Sequence, residues 1–301
     1  MQSIKTYSPL RYPGGKSSLS NFLMEITTIN EITGGIYFEP YAGGAGAALN
    51  LLFSDVFSKI HINDYDFRIF SMWDSILNNT EEFLKLVNDS PITIEEWRIQ
   101  KSLYEKGTET PSLLLGFSSF YLNRTNRSGI IYKAGPIGGV NQTGNYLIDV
   151  RFNKKDLSKR IEKIALNKNK ILLTNLDAVE IISNISKFHP NPKDLLLYLD
   201  PPYYKKGRQL YLNNYSHYDH LALAKTITNL DIDYKWLISY DNVPEIREMY
   251  PSLRQSKFNL SYTLQEKKYG SELLIFSPKL ILSKSITVNK RTIPLEIIHT
   301  E

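Results

Sequence analysis

The chain has 301 residues, no cysteine and a net charge of +5 at pH 7, and 42% of its residues are hydrophobic. A chain without cysteine has no disulfide, thiolate zinc site or cysteine nucleophile, which excludes thiolate-dependent cytosine methylation and zinc-dependent nucleobase deamination. We find neither an apolar run of the roughly 20 residues that span a membrane nor a signal-peptide pattern, so we expect a cytoplasmic protein of one large or two moderate domains.

The positive charge is concentrated in one part of the chain. Residues 120–170 contain eleven Lys or Arg and three Asp or Glu, a local charge of +8, so the remainder is slightly acidic. Such a block predicts a segment that binds a polyanion, although a solvated basic helix has the same composition. Of the five histidines, only His217 and His220 have a spacing found among metal ligands. We predict surface positions for both and no metal site.

The first motif, at residues 11–17, reads Arg-Tyr-Pro-Gly-Gly-Lys-Ser. Its last four residues resemble a phosphate-binding loop, but Leu10 stands where that motif needs a glycine and no strand precedes it. We therefore reject a nucleoside triphosphate site. Apolar residues at helical spacing between positions 19 and 26 predict a helix over residues 17–29, with serines near its start as N-cap candidates.

A glycine-rich loop follows the first predicted strand. Residues 36–38 predict the strand, Glu39-Pro40 ends it, and Ala-Gly-Gly-Ala-Gly at 42–46 leads into a helix. Glycines let the backbone approach a ligand and direct helix N–H groups toward it. Compared with the dinucleotide-binding fingerprint, however, Leu49 stands in place of the third glycine.

The second predicted strand, residues 60–64, ends in Asp64. An acid about 20 residues after a glycine loop can accept hydrogen bonds from both hydroxyls of a ribose. Strand, loop, helix, strand and acid together predict half of an adenosine-cofactor site, for which NAD and S-adenosylmethionine both fit. An ordinary βαβ unit without a ligand is the alternative.

From residue 74 to 169 the pattern changes to helices, predicted over 80–88, 93–106, 112–122 and 154–166. This insert contains the basic block. Arginine can pair with guanine edges, asparagine and glutamine with adenine edges, and lysine with phosphates. The candidate nucleic-acid contacts of the insert and of a later basic loop are Arg124, Asn126, Arg127, Lys133, Asn141, Gln142, Lys205 and Lys206.

Strands and helices then alternate again, with a strand over 171–174, Asp177 at a helix start, and the run Leu-Leu-Leu-Tyr-Leu-Asp-Pro-Pro-Tyr at 195–203. The apolar run predicts a fully buried parallel strand. Pro201 and Pro202 lack N–H donors and must end it. Asp200 therefore lies at the carboxyl end of a strand, where open α/β sheets bind ligands.

The rest of the chain predicts a helix over 218–230, a strand over 236–240 and a closing strand pair over 257–262 and 272–276. For residues 283–301, a polar tail, we make no assignment.

Together these motifs resemble the Dam-like, D12 class of adenine-N6 DNA methyltransferases. Residues 12–16 are similar to the N-terminal cofactor motif of that family, 38–46 to its S-adenosylmethionine loop, Asn63-Asp64 to its ribose-binding acid and Asp-Pro-Pro-Tyr at 200–203 to its catalytic motif. The order of the motifs also matches, over residues 8–280. Tyr12 replaces a frequent Trp, and the insert is similar to that of Dam only in outline, so recognition of GATC is not carried over.

The resemblance implies an α/β fold, a Rossmann-like mixed sheet flanked by helices, with an inserted, mainly helical DNA-recognition domain. Residues 1–73 and 170–282 would form the catalytic domain, 74–169 the recognition domain and 283–301 a tail. It also implies S-adenosyl-L-methionine as cofactor and double-stranded DNA as partner, with a cognate restriction endonuclease as a candidate partner and a monomer or weak dimer as the assembly.

The catalytic residues implied are Asp200, Pro201, Pro202 and Tyr203. The cofactor residues implied are Tyr12, Lys16, Glu39, Pro40, Ala42, Gly43, Gly44, Gly46, Asp64, Asp177 and Asp200, with Tyr12 near the methionine of the cofactor and Lys16 near its carboxylate. The chemistry fits, because the N6 amine of adenine is a weak nucleophile that Asp200 and the Pro201 carbonyl can orient by accepting its hydrogens. Tyr203 can stack on the flipped base.

Three other functions compete with this one. An RNA adenine or protein-amide methyltransferase would share the cofactor half, but many protein-amide enzymes have Asn where this chain has Asp200. An NAD-dependent oxidoreductase would need the third glycine and a use for the basic insert. A DNA-binding module without catalysis has no use for Asp200 and Tyr203.

Overall fold

The computed structural model describes residues 7–11, 16–107, 112–205, 215–263, 267–288 and 291–298. Two predicted contact residues, Tyr12 and Lys206, lie outside these ranges. Within them, no helix is long and apolar enough to cross a membrane, and no group of three or more metal-ligating side chains occurs.

The strands, numbered in chain order, are β1 (Ile36–Glu39), β2 (Lys59–Asn63), β3 (Ile171–Thr174), β4 (Leu195–Leu199), β5 (Lys235–Asp241), β6 (Arg254–Thr263), β7 (Lys267–Phe276), β8 (Ser285–Val288), β9 (Arg291–Pro294) and β10 (Ile297–Ile298). Eight of them form one sheet in the order β10-β6-β7-β5-β4-β1-β2-β3. Strands β5, β4, β1, β2 and β3 are parallel, whereas β7, β6 and β10 are antiparallel to their neighbours. The predicted mixed sheet is confirmed.

The helices of the described residues are α1 (Ser20–Ile29), α2 (Gly46–Phe53), α3 (Phe67–Asn78), α4 (Thr80–Asp89), α5 (Ile94–Lys106), α6 (Leu113–Thr125), α7 (Lys154–Ala165), α8 (Ala178–Ser183), α9 (Ile185–Phe188), α10 (His217–Thr228) and α11 (Pro244–Met249). A 3-10 turn, Lys16–Leu19, precedes α1. The prediction of a serine N-cap for α1 is wrong, because this turn places Leu19 at the N-cap and no side chain caps the helix.

Strand β4 shows why the sheet needs helices on both faces. All five of its residues are buried. Leu196 and Tyr198 pack in a core that includes α1 and α2, whereas Leu195, Leu197 and Leu199 pack on the other face with α8 and α10. A continuous apolar run is thus buried in alternation, as expected for a central parallel strand.

The insert is continuous with the core of the sheet. Helix α3, which the sequence analysis missed, crosses the predicted domain boundary between residues 73 and 74 and packs against α6. Trp73 of α3 and Phe117 of α6 belong to the same buried cluster as Leu196 of the sheet. Helices α3 and α6 approach closely at Gly116, where an added Cβ would lie 2.5 Å from the Ser71 carbonyl oxygen.

The C-terminal residues, left without assignment above, contribute three strands where the structure describes them. Strands β8 and β9 form an antiparallel hairpin that contacts α1. Strand β10 then pairs with β6 at the sheet edge, with Ile297 opposite Ser256.

Candidate active site

One cleft opens at the carboxyl ends of β1, β2 and β4. Every predicted cofactor residue that the structure describes lines it, and these are Lys16, Glu39, Pro40, Ala42, Gly43, Gly44, Gly46, Asp64, Asp177 and Asp200. Residues separated by up to 184 positions therefore meet because parallel strands end at the same edge of the sheet.

The glycine loop is held tightly at one side of this cleft. Gly43 and Ala45 have φ angles of 46°, in the left-handed region that favours glycine. The carbonyl oxygen of Gly43 accepts a hydrogen bond from Trp73 Nε1 at 2.9 Å. An added Cβ at Gly46 would lie 2.3 Å from Ser17 Oγ. The loop is thus fixed between α3 and the turn that follows the N-terminal motif.

Asp64 follows β2 and faces the glycine loop. Its carboxylate accepts hydrogen bonds from the backbone N–H of Gly43 at 2.8 Å and of Asp66 at 2.9 Å. Burial, together with the charge of Asp66, raises the pKa of Asp64 to about 7, against these two hydrogen bonds. A carboxylate has about four acceptor positions, so Asp64 retains capacity for ligand hydroxyls.

Asn63 joins the ends of three strands beside Asp64. Its side-chain amide donates to the carbonyl oxygens of Pro40, which follows β1, and Leu176, which follows β3, both at 2.9 Å. Asp177, one residue further on, caps α8 by accepting from the N–H groups of Val179 and Glu180. Asn63 therefore holds the backbone at the ends of β1 and β3 together, and Asp177, which lines the cleft, fixes the start of α8.

Glu39 is the most buried acid among the predicted cofactor residues that line the cleft. It is 5% exposed and accepts a hydrogen bond from the Tyr37 hydroxyl at 2.8 Å. Burial raises the pKa of Glu39 to about 8, with the charge of Asp200 adding to the effect.

Asp200 lies directly after β4 with 24% of its side chain exposed. Its Oδ1 accepts a hydrogen bond from Ser239 Oγ at 2.8 Å and lies 3.3 Å from Lys16 Nζ. Burial raises the pKa of Asp200 to about 6, with Lys16 lowering it and Glu272 raising it. The exposed part of the carboxylate faces the cleft.

Lys16 lies between two carboxylates. Its Nζ is 2.9 Å from Glu272 Oε2 and 3.0 Å from the Tyr203 hydroxyl, in addition to Asp200. Burial alone would lower the pKa of Lys16, but Asp200 and Glu272 hold it above its usual value. Glu272 was not predicted as a site residue. Its only signal was a lone acid at the start of the apolar run Leu-Leu-Ile-Phe.

The backbone after the two prolines is held by Asp241 at the end of β5. The N–H groups of Tyr204 and Lys205 donate to its two carboxylate oxygens at 2.8 and 3.0 Å. His220 packs nearby and is fully buried, with Nδ1 3.0 Å from the Tyr240 hydroxyl. The predicted surface position is therefore wrong for His220, because α10 turns it toward the sheet, and confirmed for His217, which is exposed.

Four arginines line the cleft, and only Arg124 was predicted as a contact residue. The others are Arg11, Arg151 and Arg160. Arg124 Nε donates to the Arg151 carbonyl oxygen at 2.7 Å. Burial, with the charges of Arg11 and Arg160, lowers the pKa of Arg124 to about 9. Arg160 pairs with Asp156 at 2.7 Å. Among the described ion pairs it is the only one of the four with an acidic partner.

Two predicted base contacts are engaged inside the insert instead. Asn126 is 1% exposed, and its amide accepts from Trp97 Nε1 and donates to the Ile130 carbonyl oxygen. Gln142 donates to the carbonyl oxygens of Ile137 and Gly139 and accepts from the Ile148 N–H. Their amides hold loops, so we do not retain Asn126 and Gln142 as candidate DNA contacts. The remaining candidates of the insert loop and of the later basic loop are exposed, namely Arg127, Lys133, Asn141 and Lys205.

No curated protein matches the chain. Among solved structures, the chain is similar to a protein from Pyrococcus horikoshii described as an RNA methyltransferase, with 10% identity, a TM-score of 0.38 and coverage of 94% of this chain and 87% of that one. It is also similar to the rRNA methyltransferase AviRa from Streptomyces viridochromogenes, with 10% identity, a TM-score of 0.34 and coverage of 83% and 79%.

A family model describes the chain over most of its length. The model of the D12 class N6 adenine-specific DNA methyltransferase matches residues 12–267, which include the glycine loop, Asp64, the insert and Asp200. Motifs, topology and cleft agree with that match. The chain therefore belongs to the D12 class N6 adenine-specific DNA methyltransferase family.

Proposed function

We propose that this methyltransferase transfers a methyl group from S-adenosyl-L-methionine to the N6 amine of an adenine flipped out of double-stranded DNA. The observation that carries the proposal is the position of Asp200, partly exposed at the end of β4 and lining the same cleft as the glycine loop and Asp64. A carboxylate beside an adenosine-type site is the group needed to orient an aromatic amine.

The lining of the cleft fits the cofactor. Asp64 retains acceptor positions for the ribose hydroxyls after its two backbone hydrogen bonds. The backbone of Gly43, Gly44 and Gly46 gives a side-chain-free surface beside it. When bound, S-adenosylmethionine supplies an electrophilic methyl group on a positively charged sulfonium. The Asp200 carboxylate, which lines the cleft, favours that charge.

Asp200 would orient the amine through one oxygen. Within the described residues, Ser239 and Lys16 both contact Oδ1, so we assign Oδ2 and the Pro201 carbonyl to the two hydrogens of N6. Accepting both hydrogens favours a tetrahedral nitrogen with its lone pair directed away from the ring. This contribution consists of positioning and electrostatic stabilisation. Tyr203 would stack on the extruded base.

The arginines of the cleft support a nucleic-acid substrate. Arg11, Arg124 and Arg151 lie together, and in the described ion pairs none of these three has an acidic partner. An unneutralised arginine group attracts phosphate. Arg127, Lys133, Asn141 and Lys205 are exposed and remain candidates for contacts outside the cleft. We retain residues 74–169 as the recognition domain. The restriction endonuclease partner, the monomer or weak dimer and the cytoplasmic location stay predictions.

A transfer assay with the purified chain tests the proposal. S-adenosylmethionine carrying a labelled methyl group is offered with a DNA duplex of mixed sequence, the same sequence as RNA, and a mixture of proteins. We expect the label in DNA, and digestion to nucleosides should release it as N6-methyl-2′-deoxyadenosine. If the label appears only in RNA or only in protein, that molecule and not DNA is the substrate.

A further inference from the structure

Glu272 is a buried acid whose contacts all lead toward Asp200. It lies in β7, opposite Asp241 of β5, and is 2% exposed. Its Oε2 lies 2.9 Å from Lys16 Nζ, and its Oε1 accepts a hydrogen bond from the Tyr203 hydroxyl. A carboxylate this deeply buried costs free energy unless it is paired and hydrogen-bonded, and Glu272 is both.

Lys16 and Tyr203 connect Glu272 to the proposed catalytic motif. Lys16 Nζ lies 3.3 Å from Asp200 Oδ1 and 5.2 Å from the centre of the Tyr203 ring. One ammonium group is therefore shared by two carboxylates and a phenol, giving the cluster of Lys16, Asp200 and Glu272 a net charge of −1 when all three are ionised. The charge of Lys16 is divided between Asp200 and Glu272.

We propose that Glu272 is a positioning residue for methyl transfer. It holds Lys16 beside Asp200 and keeps the Tyr203 ring in place. It also prevents Lys16 from neutralising the charge of Asp200 alone. The inference rests on the proposed function of Asp200. Without the charge of Glu272, Lys16 pairs with Asp200 only, and the Asp200 carboxylate becomes a weaker hydrogen-bond acceptor for the amine.

The charged and titratable groups facing Asp200 come from four elements. Lys16 precedes α1, Glu272 lies in β7, Tyr198 in β4, and Tyr37 and Glu39 in β1. Of the two groups that dominate, Lys16 lowers the pKa of Asp200 and Glu272 raises it. Removing one or the other should therefore move that pKa in opposite directions.

The experiment measures single-turnover methyl transfer against pH at saturating cofactor and DNA. The ionised Asp200 carboxylate is a stronger hydrogen-bond acceptor than the neutral acid, so the rate falls as the pH drops through its pKa. We expect Glu272→Gln to slow transfer. It should also move the acid limb of the pH–rate profile, where the rate falls, to lower pH by on the order of one unit, because a like charge is lost. Lys16→Met should move it up. Glu272→Asp retains the charge and should leave the limb in place, with a slower rate from the shorter reach.

Glu248→Gln is the matched control, since Glu248 is exposed in α11, and it should retain the profile of the unaltered chain. Thermal unfolding and calorimetric binding of S-adenosylhomocysteine are measured for each variant. An unshifted acid limb in a folded Glu272→Gln that still binds would overturn the inference, and so would weakened cofactor binding as its sole effect. If Glu272→Gln does not fold, the acid limbs of Glu272→Asp and Lys16→Met are compared instead. Acid limbs at the same pH in these two variants would overturn the inference. If the unaltered chain transfers no methyl group to DNA, the proposed function itself fails.

Discussion

At the scale of single residues, two carboxyl groups of the cleft differ in environment. Asp200 is partly exposed, with a pKa raised by burial to about 6, whereas Glu39 is buried and its pKa is raised to about 8. At neutral pH Asp200 is therefore mostly an acceptor, and Glu39 mostly a neutral acid. Two carboxyl groups thus differ in task, with Asp200 as the proposed acceptor for the reacting amine and Glu39 as a structural partner of Tyr37.

Replacing Asp200 tests its role most simply. Asp200→Ala removes the acceptor but none of the contacts of the glycine loop, so we expect methyl transfer to fall by on the order of 10²-fold or more while cofactor binding persists. Single-turnover rates and calorimetry with S-adenosylhomocysteine separate the two effects. A variant that transfers at nearly the parental rate would contradict the assignment.

Asp64 should affect binding rather than chemistry. Asp64→Ala removes the acceptor for the ribose hydroxyls and the partner of the Gly43 N–H. A loss of about 1.4 kcal/mol, on the order of one charged hydrogen bond, weakens cofactor binding about tenfold. The dissociation constant is measured by calorimetry, with the exposed Glu248→Gln as control. An unchanged constant would move the ribose site elsewhere.

At the scale of helices and strands, the elements predicted from the sequence are those set by a local hydrophobic pattern. The strands β3 and β4 were predicted because a short apolar run between turn signals has few alternatives. Helix α3 was missed although Ile69, Met72, Trp73 and Ile76 are buried at helical spacing, so its signal was present. Glu272 could not be assigned, because its partner Lys16 lies 256 residues away. The arginines of the cleft could not be grouped from the sequence either, because they come from different segments of the chain.

The contact between α3 and α6 depends on a glycine, Gly116, which has no side chain. Gly116→Ala puts a Cβ 2.5 Å from the Ser71 carbonyl oxygen, so the helices must move apart. We expect a loss of about 1–3 kcal/mol of unfolding free energy from this overpacking, although alanine favours helix by about 1 kcal/mol elsewhere. Urea unfolding measures it. Gly135→Ala is the control, with open space around Gly135, and equal stability of both variants would refute the close approach.

At the scale of the whole molecule, the N-terminal segment joins the glycine loop to the insert. Ser8 donates from its hydroxyl to the Gly44 carbonyl oxygen at 2.5 Å and accepts at its own carbonyl from Arg160. Asn123 of α6 holds the backbone N–H and carbonyl of Arg11. Through these hydrogen bonds the N-terminal segment links the insert to the glycine loop, an arrangement no single motif could predict.

The basic wall of the cleft should account for part of DNA binding. Arg124→Gln with Arg151→Gln removes two phosphate-attracting charges of the cleft, so binding should weaken and the slope of log affinity against log salt should flatten by roughly 1–2. Fluorescence anisotropy over a salt series measures this slope. Lys187→Gln, exposed in α9 and outside the cleft, is the control. Equal slopes for the double variant and the parent would place the DNA elsewhere.

We have proposed that Asp200 directs methyl transfer to adenine in DNA. Base-resolution mapping of N6-methyladenine in DNA from cells that lack other adenine methylation, and that express either the parent chain or Asp200→Ala, tests it most directly. We expect N6-methyladenine at a recurring short sequence with the parent and none with the variant. Equal methylation in both, or none in DNA from cells with the folded parent chain, would contradict it.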